Sequence, residues 1–163
     1  MRKGLFLDRD GVINTERGAH TVRLADFEIL PDVPQAIKEA VDAGWVVIGI
    51  TNQSGIDLGL YDGKEVERMH GYLHDVLAER GTAMTEILYC PHHPSKGKCL
   101  CRKPGSLLLE RAAARHEIDL SASVMIGDRE RDVLAASAVG VRGILVEPNT
   151  SLLEILRTHR MIA

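Results

Sequence analysis

Residues 4–11 read Gly4-Leu5-Phe6-Leu7-Asp8-Arg9-Asp10-Gly11, a short apolar run that ends in two acids and a glycine. The run has strand length and lacks strict alternation, the pattern of a strand buried on both faces. Similar runs follow at Val46–Ile50, Glu86–Tyr89, Val124–Ile126 and Gly143–Val146. Stretches of helical period lie between them. Pro31 to Ala43 opens with a proline and closes before Gly44. Gly63 to Glu79 follows Asp62 as N-cap, with Glu65 placed to complete a capping box, and ends before Gly81. Ser106–His116, Arg131–Ala138 (ended by Gly140) and Leu152–His159 complete the set. This β-α alternation predicts an α/β fold with a mainly parallel sheet and helices on both faces.

The chain has 163 residues, 45% hydrophobic and 26% charged, which fits one globular domain spanning 1–163. A net charge of -3 gives no reason to expect nucleic acid or an acidic membrane as partner. The first apolar run, Leu5–Leu7, is too short for a signal-peptide core or a membrane span. A cytoplasmic monomer acting on a small molecule is the expectation. Residues 14–30 fit neither period and read as a loop or small hairpin, and residues 90–104 are too rich in Pro, Gly and Lys for regular structure. Long irregular segments in compact domains tend to carry function.

In open α/β sheets, ligands bind beyond the carboxyl ends of the strands. Asp8-Arg9-Asp10-Gly11 follows the first strand and Thr51-Asn52-Gln53-Ser54-Gly55 the second. Arg102-Lys103-Pro104 ends the loop after the third, and Gly127-Asp128-Arg129-Glu130-Arg131-Asp132 follows the fourth. Acids, a threonine, a lysine and an arginine thus converge at one edge, as phosphoryl transfer requires. Clustered carboxylates repel, and an oxygen-only set suits Mg²⁺. The cation and Lys103 would neutralise a phosphate so that the anionic Asp8 can attack phosphorus. Asp10 would protonate the leaving alcohol and later deprotonate water. Thr51 would donate to a phosphate oxygen, and Gly11 would let the chain turn. Singly, each residue reads as well as a turn, a helix cap or a solvated surface group; the ordered conjunction points to a site.

A second constellation is Cys90, His92, Cys99 and Cys101, which holds all three cysteines of the chain. Three thiolates and an imidazole make a closed, four-coordinate structural Zn²⁺ set in a loop at 90–101. His93 is the alternative ligand; His92 is favoured because its spacing from Cys90 repeats that of Cys99 and Cys101. Zinc would fix the loop and aim Arg102 and Lys103. The other histidines, including His70 and His74, form no acid–base constellation, and Trp45 reads as core.

The runs LFLDRDGVIN, ITNQSGI, CPHHP…CLCRKP and IGDRERD resemble the four motifs of the haloacid dehalogenase superfamily. More narrowly they resemble its zinc-containing branch, which holds D-glycero-D-manno-heptose 1,7-bisphosphate phosphatases and histidinol-phosphate phosphatases. The resemblance implies a Rossmann-like three-layer sandwich without a separate cap domain. It implies Asp8 as nucleophile, Asp10 as general acid and base, and Mg²⁺ on Asp8, the Asp10 main-chain carbonyl and Asp128. Thr51 and Lys103 match phosphate-binding positions, Asn52 and Arg102 substrate-side positions, and Asp132 an acid that supports the metal site. The ITNQSGI and CPHHP runs favour a sugar bisphosphate. Ile56-Asp57-Leu58-Gly59 and Gly105-Ser106-Leu107-Leu108 depart from the heptose pattern in substrate-facing loops, so histidinol phosphate is the alternative. The candidate rim cations are Arg102, Arg129, Arg17 and Arg23, and Asp57 and Glu16 could meet an amine. Receiver domains also gather acids, a threonine and a lysine, but in a different order along the chain. A zinc-stabilised binding module is the non-enzymatic alternative.

Overall fold

A computed structural model describes residues 1–163. Five strands form one parallel sheet: β1 (Arg2–Leu7), β2 (Val46–Asn52), β3 (Glu86–Cys90), β4 (Ile118–Gly127) and β5 (Arg142–Leu145). Their spatial order is β3-β2-β1-β4-β5. Helices α1 (Val33–Asp42), α2 (Gly63–Glu79), α3 (Leu107–His116), α4 (Glu130–Ser137) and α5 (Leu152–Thr158) cover the sheet. Strand side chains sort by period two. Leu5 and Leu7 pack with Val47, Val124 and Ile126 beneath α1, α2 and α5. Phe6 packs with Val46, Ile48, Ile50 and Met125 beneath α3 and α4. Both faces are covered, so the central strands carry no polar alternation, and the expected three-layer α/β architecture is the observed one.

The differences from expectation have local causes. β4 begins at Ile118 rather than Val124, because Ile118 and Asp119 pair with Arg2 and Lys3 at the sheet's lower edge. Polar Asp119, Ser121 and Ser123 mask that extension in the sequence. α1 begins at Val33 with Pro34 in its first turn, so Pro31 lies outside the helix. Residues 14–30 form no hairpin; they hold isolated bridges at Asn14 and one 3-10 turn at Leu24–Asp26. Asp62 caps α2 by accepting from the Glu65 N–H at 3.0 Å. The reciprocal half of the box is absent, because the Glu65 carboxylate accepts from the Leu24 N–H at 2.8 Å instead. That bond ties the 14–30 segment to α2. Trp45 is buried, and its indole N–H donates to the Met161 carbonyl at 3.0 Å. No helix is long and apolar enough to cross a membrane.

The chain runs outward from β1 to β2 and β3, then returns to lay β4 on the other side of β1. The crevice above β1 and β4 is therefore the point where the winding reverses, and ligands bind at such points. Asp8 follows β1 and Asp128 follows β4.

Candidate active site

Asp8, Asp128 and Asp132 bring carboxylate oxygens within 4.8 Å of one another. Lys103, 2% exposed, reaches into the cluster: its Nζ donates to Asp8 Oδ1 at 2.9 Å and to the Ile50 carbonyl at 2.7 Å, and lies 2.6 Å from Asp132 Oδ1. Burial pulls the Lys103 pKa down, but Asp8 and Asp132 outweigh it and hold the ammonium charged. Asp132 also accepts from the Arg129 N–H at 3.0 Å and so fixes the start of α4. Two glycines admit this crowding. Gly11 has φ +92, and a Cβ there would lie 2.3 Å from Asp128 Oδ2; a Cβ on Gly127 would lie 2.3 Å from the Asp132 side chain.

Lys103 serves only two of the three carboxylates, Asp8 and Asp132. Asp128 Oδ2 is buried without a hydrogen-bond partner, and the Arg129 guanidinium stands 4.0 Å from it. Burial first, then the neighbouring Asp8, raises the Asp128 pKa to about 7. An orphaned, all-oxygen, anionic set of this kind fits a hard divalent cation.

Asp10 sits beside this cluster in a donor cage. Arg9 Nη2 donates to both of its oxygens at 3.1 and 3.3 Å, Asn14 Nδ2 to Oδ1 at 2.9 Å and Gln53 Nε2 to Oδ2 at 3.0 Å. Burial pushes its carboxyl up, but the Arg9 charge and these hydrogen bonds hold it below the usual carboxylate range. Arg9 is fully buried and stacks near Phe27, 5.3 Å from the ring, with His70 behind it. Burial, then the Arg9 charge, lowers the His70 pKa to about 3, so His70 is neutral. Sequence reasoning missed Arg9 and Gln53. The one available signal was period two: if residues 8 and 10 face the site, residue 9 faces inward.

A cavity of about 420 Å³ opens above these groups. It places Asp8, Asp10, Thr51, Asn52, Arg102 and Asp128 together, as expected, and adds Gln53 and Arg131. Asn52 also clamps the Lys103 backbone: its Oδ1 accepts from the Lys103 N–H at 3.0 Å and its Nδ2 donates to the Lys103 carbonyl at 3.2 Å. Of the expected rim cations, Arg102 and Arg129 line the cavity, whereas Arg17 and Arg23 pair with Asp26 outside it. Burial first, then the Arg131 charge, lowers the Arg102 pKa, so two guanidiniums converge on one wall. Asp57, named above as a residue that could meet an amine, accepts from the His93 N–H at 2.8 Å and so ties its own loop to the cysteine loop.

Beneath Arg102 lies the cysteine cluster. Cys90 Sγ is 3.7 Å from Cys99 Sγ and 3.1 Å from Cys101 Sγ, and His92 Nδ1 is 3.4 Å from Cys90 and 3.2 Å from Cys101. A tetrahedron with metal–sulfur bonds of about 2.3 Å separates its sulfurs by roughly 3.8 Å. The Cys90–Cys99 pair has that spacing, the Cys90–Cys101 pair at 3.1 Å would have to open slightly, and the donor set suits one zinc ion. His93 points elsewhere: its Nδ1 accepts from the Ser95 N–H at 3.1 Å, and its side chain lines the cavity.

Strand-end aspartates, a buried lysine and a strand-end threonine at one sheet edge define a phosphoryl-transfer hydrolase. The HAD-hydrolase-like family matches residues 100–159, from the loop that carries Lys103 to the end of α5. The chain belongs to the haloacid dehalogenase-like phosphatases. Within that family it is 41% identical to the D-glycero-beta-D-manno-heptose-1,7-bisphosphate 7-phosphatase of Pseudomonas putida, over 89% of this chain and 82% of the relative. It is likewise 41% identical to the enzyme of that name from Helicobacter pylori strain J99, over 88% of this chain and 82% of the relative. The fold is similar to the crystal structure of D,D-heptose 1,7-bisphosphate phosphatase from B. bronchiseptica complexed with magnesium and phosphate. That match has TM-score 0.85 and 35% identity, and covers 96% of this chain and 86% of the other. The Burkholderia thailandensis enzyme matches with TM-score 0.66 and 30% identity, over 96% of this chain and 85% of the other.

Proposed function

We propose that residues 1–163 act as one Mg²⁺-dependent, zinc-stabilised phosphatase domain that removes the 7-phosphate of D-glycero-D-manno-heptose 1,7-bisphosphate. The observation that carries the substrate is the division of cations in the cavity. Lys103 is committed to Asp8 and Asp132, while Arg102, Arg129 and Arg131 line the cavity; Arg129 stands 4.0 Å from Asp128, and Arg102 and Arg131 form no salt bridge. One phosphate at Asp8 and a second anionic group at the arginines satisfy both sets. Guanidinium forks suit such a group. Histidinol phosphate carries an amine, and with Asp57 bonded to His93, Glu16 is the one acid of the cavity lining outside the Asp8, Asp10 and Asp128 set left to meet it. Three unpaired thiols suit a reducing, cytoplasmic setting.

In the chemistry, an Asp8 carboxylate oxygen forms a bond to phosphorus. The ester P–O bond breaks, and the leaving oxygen keeps the electron pair and takes a proton from Asp10. Water then attacks the aspartyl-phosphate, gives a proton to Asp10 and releases phosphate and free Asp8. The donor cage favours ionised Asp10 in the free protein, the form that accepts water's proton; a bound phosphate dianion raises its proton affinity for the first step. Asp8, Asp128 and the Asp10 carbonyl would hold Mg²⁺, which would supply positive charge where two anions must meet. Lys103 and the Thr51 hydroxyl orient the phosphate oxygens. Cys90, His92, Cys99 and Cys101 would hold Zn²⁺, which would fix the loop that presents Arg102 and Lys103.

Turnover tests the reading. Asp8→Asn should stay folded and lose activity by orders of magnitude, and EDTA should abolish wild-type activity until Mg²⁺ is restored. Near-normal turnover by Asp8→Asn would remove the mechanism. For the substrate, kcat/KM should be highest for the bisphosphate, and Arg102→Ala should harm it more than a monophosphate of the same sugar. Histidinol phosphate turning over a hundredfold faster would overturn the substrate and leave Asp8 in its role.

A further inference from the structure

Gln53 is buried at the back of the cavity, 3% exposed, between two groups of the reaction. Its Nε2 donates to Asp10 Oδ2 at 3.0 Å and to Thr51 Oγ1 at 2.9 Å. Its Oε1 accepts from the Tyr61 hydroxyl at 2.7 Å. The chemistry of the partners fixes the direction of each bond. An ionised carboxylate only accepts, so the amide NH₂ must face Asp10, Oε1 must face Tyr61, and the Tyr61 hydroxyl must donate. Burial raises the Tyr61 pKa, which keeps that hydroxyl a donor. Thr51 Oγ1 accepts from Gln53, so its own hydrogen is left for another acceptor; within the protein that is the Asn52 carbonyl at 3.4 Å.

The loop is shaped to bring Tyr61 to this place. Leu60 N–H donates to the Gly55 carbonyl at 2.9 Å, closing a turn. A Cβ on Gly55 would lie 2.2 Å from the Tyr61 ring. At the other end, the Gln53 N–H donates to the Cys90 carbonyl at 2.8 Å, which seats the amide at the edge of the sheet.

We propose that Tyr61 and Gln53 are positioning residues: Tyr61 orients the Gln53 amide, which holds the Asp10 carboxyl for proton delivery to the leaving group and turns the Thr51 hydroxyl toward the transferring phosphate. The proposal rests on the assignment of Asp8 and Asp10 above and goes beyond it, because neither Gln53 nor Tyr61 bonds to the ester. It makes a prediction that a merely structural role does not. A poor leaving group needs the Asp10 proton; a good one does not. The phenol released from phenyl phosphate has a pKa of about 10, and p-nitrophenol is far more acidic. The two esters have nearly the same shape, and kcat/KM reports only steps up to loss of the aryl group. Any general damage to phosphate binding, including loss of Thr51 orientation, lowers kcat/KM for both esters alike and cancels in their ratio.

The experiment measures kcat/KM for p-nitrophenyl and phenyl phosphate with Mg²⁺ in wild type, Gln53→Met, Tyr61→Phe and the double variant. General acids contribute about 10²–10⁴-fold, so the nitrophenyl-to-phenyl ratio should rise by roughly tenfold or more in Gln53→Met. It should rise by a smaller factor in Tyr61→Phe, which keeps the ring packed on Gly55. Because Tyr61 acts through Gln53, adding Tyr61→Phe to Gln53→Met should change nothing further. An unmoved ratio in both single variants, whether activity falls or not, overturns the proposal. Should Gln53→Met fail to fold, as shown by its melting temperature, Tyr61→Phe alone decides the matter. Failure of the underlying mechanism looks different: wild type itself would leave both esters intact, or Asp8→Asn would hydrolyse them.

Discussion

At Gly127 a single hydrogen in place of a methyl group lets Asp132 lie against the end of β4. A Cβ there would come within 2.3 Å of the Asp132 carboxylate, which is fully buried and bonded to Lys103 and the Arg129 N–H, so it has nowhere to retreat. Overpacking of this kind costs about 1–3 kcal/mol. Gly127→Ala should melt lower than wild type and lose at least tenfold in turnover, because Lys103 moves with its partner; an unchanged kcat would show that Asp132 does not aim the lysine. The charges nearby make a second residue-scale prediction. Asp128 is raised to about 7, above the value of about 3.9 expected in an unfolded chain. The metal-free fold therefore holds a proton that the unfolded chain gives up, and this group's contribution to stability falls as pH rises from about 4 to about 7. A cation takes the proton's place, so the gain in Tm on adding Mg²⁺ should grow between about pH 5.5 and pH 8. Melting curves by circular dichroism would check it; a gain independent of pH would place the cation away from Asp128. The acids and Lys103 were legible in the sequence because each directly follows a strand or a metal loop. Arg9, Gln53 and Tyr61 were not, because their value lies in which way they point and what they meet, and Tyr61 meets Gln53 only after a turn of the chain that no periodicity announces.

Loops, rather than helices or strands, complete the site. The cysteine loop touches the site twice, through Arg102 and Lys103 and through the Asp57–His93 bond to the loop that carries Tyr61. Structural zinc sites hold their folds with apparent energies of about 10–16 kcal/mol. Cys99→Ser should lower zinc content, Tm and kcat together; wild-type activity in a protein free of zinc would remove the metal from the account. The 14–30 segment is pinned from the far side by Asn149, whose Oδ1 accepts from the Glu16 N–H at 2.7 Å and whose Nδ2 donates to the Glu16 carbonyl at 3.2 Å. Because Glu16 lines the cavity and Asn149 does not, Asn149→Ala should raise KM several-fold with little change in kcat. Steady-state kinetics would show the split. The five strands and five helices were read correctly because buried parallel strands advertise themselves as unbroken apolar runs. The first half of β4 and the Glu65–Leu24 staple escaped notice for the opposite reason: both depend on partners distant in the chain, and their own residues look like ordinary surface.

Over the whole molecule, division of labour follows the direction of the strands. Everything chemical gathers at their carboxyl ends, and the opposite edge is left to stability. With no cap domain, the cavity stays open to solvent at its rim, and small aryl phosphates should be accepted alongside the natural ester. The fold class, the cluster of strand-end acids and the cysteine set were legible in the sequence, since each is written in local pattern. Arg102 was singled out by its motif, but Arg129 could not be told from Arg17 and Arg23, and Arg131 was missed, because these arginines differ only in what surrounds them. The lone tryptophan of the chain belongs to the stable edge: Trp45 stands just before the amino end of β2, its N–H bonded to Met161 and the Lys3 ammonium 4.3 Å over its ring. Excited at its own absorption band, it is an intrinsic optical probe seated at the end of the sheet away from the reaction. Its emission will report loss of the native core, when water reaches the indole and the tail from Met161 comes away. It will stay nearly silent when magnesium or phosphate binds at the other end.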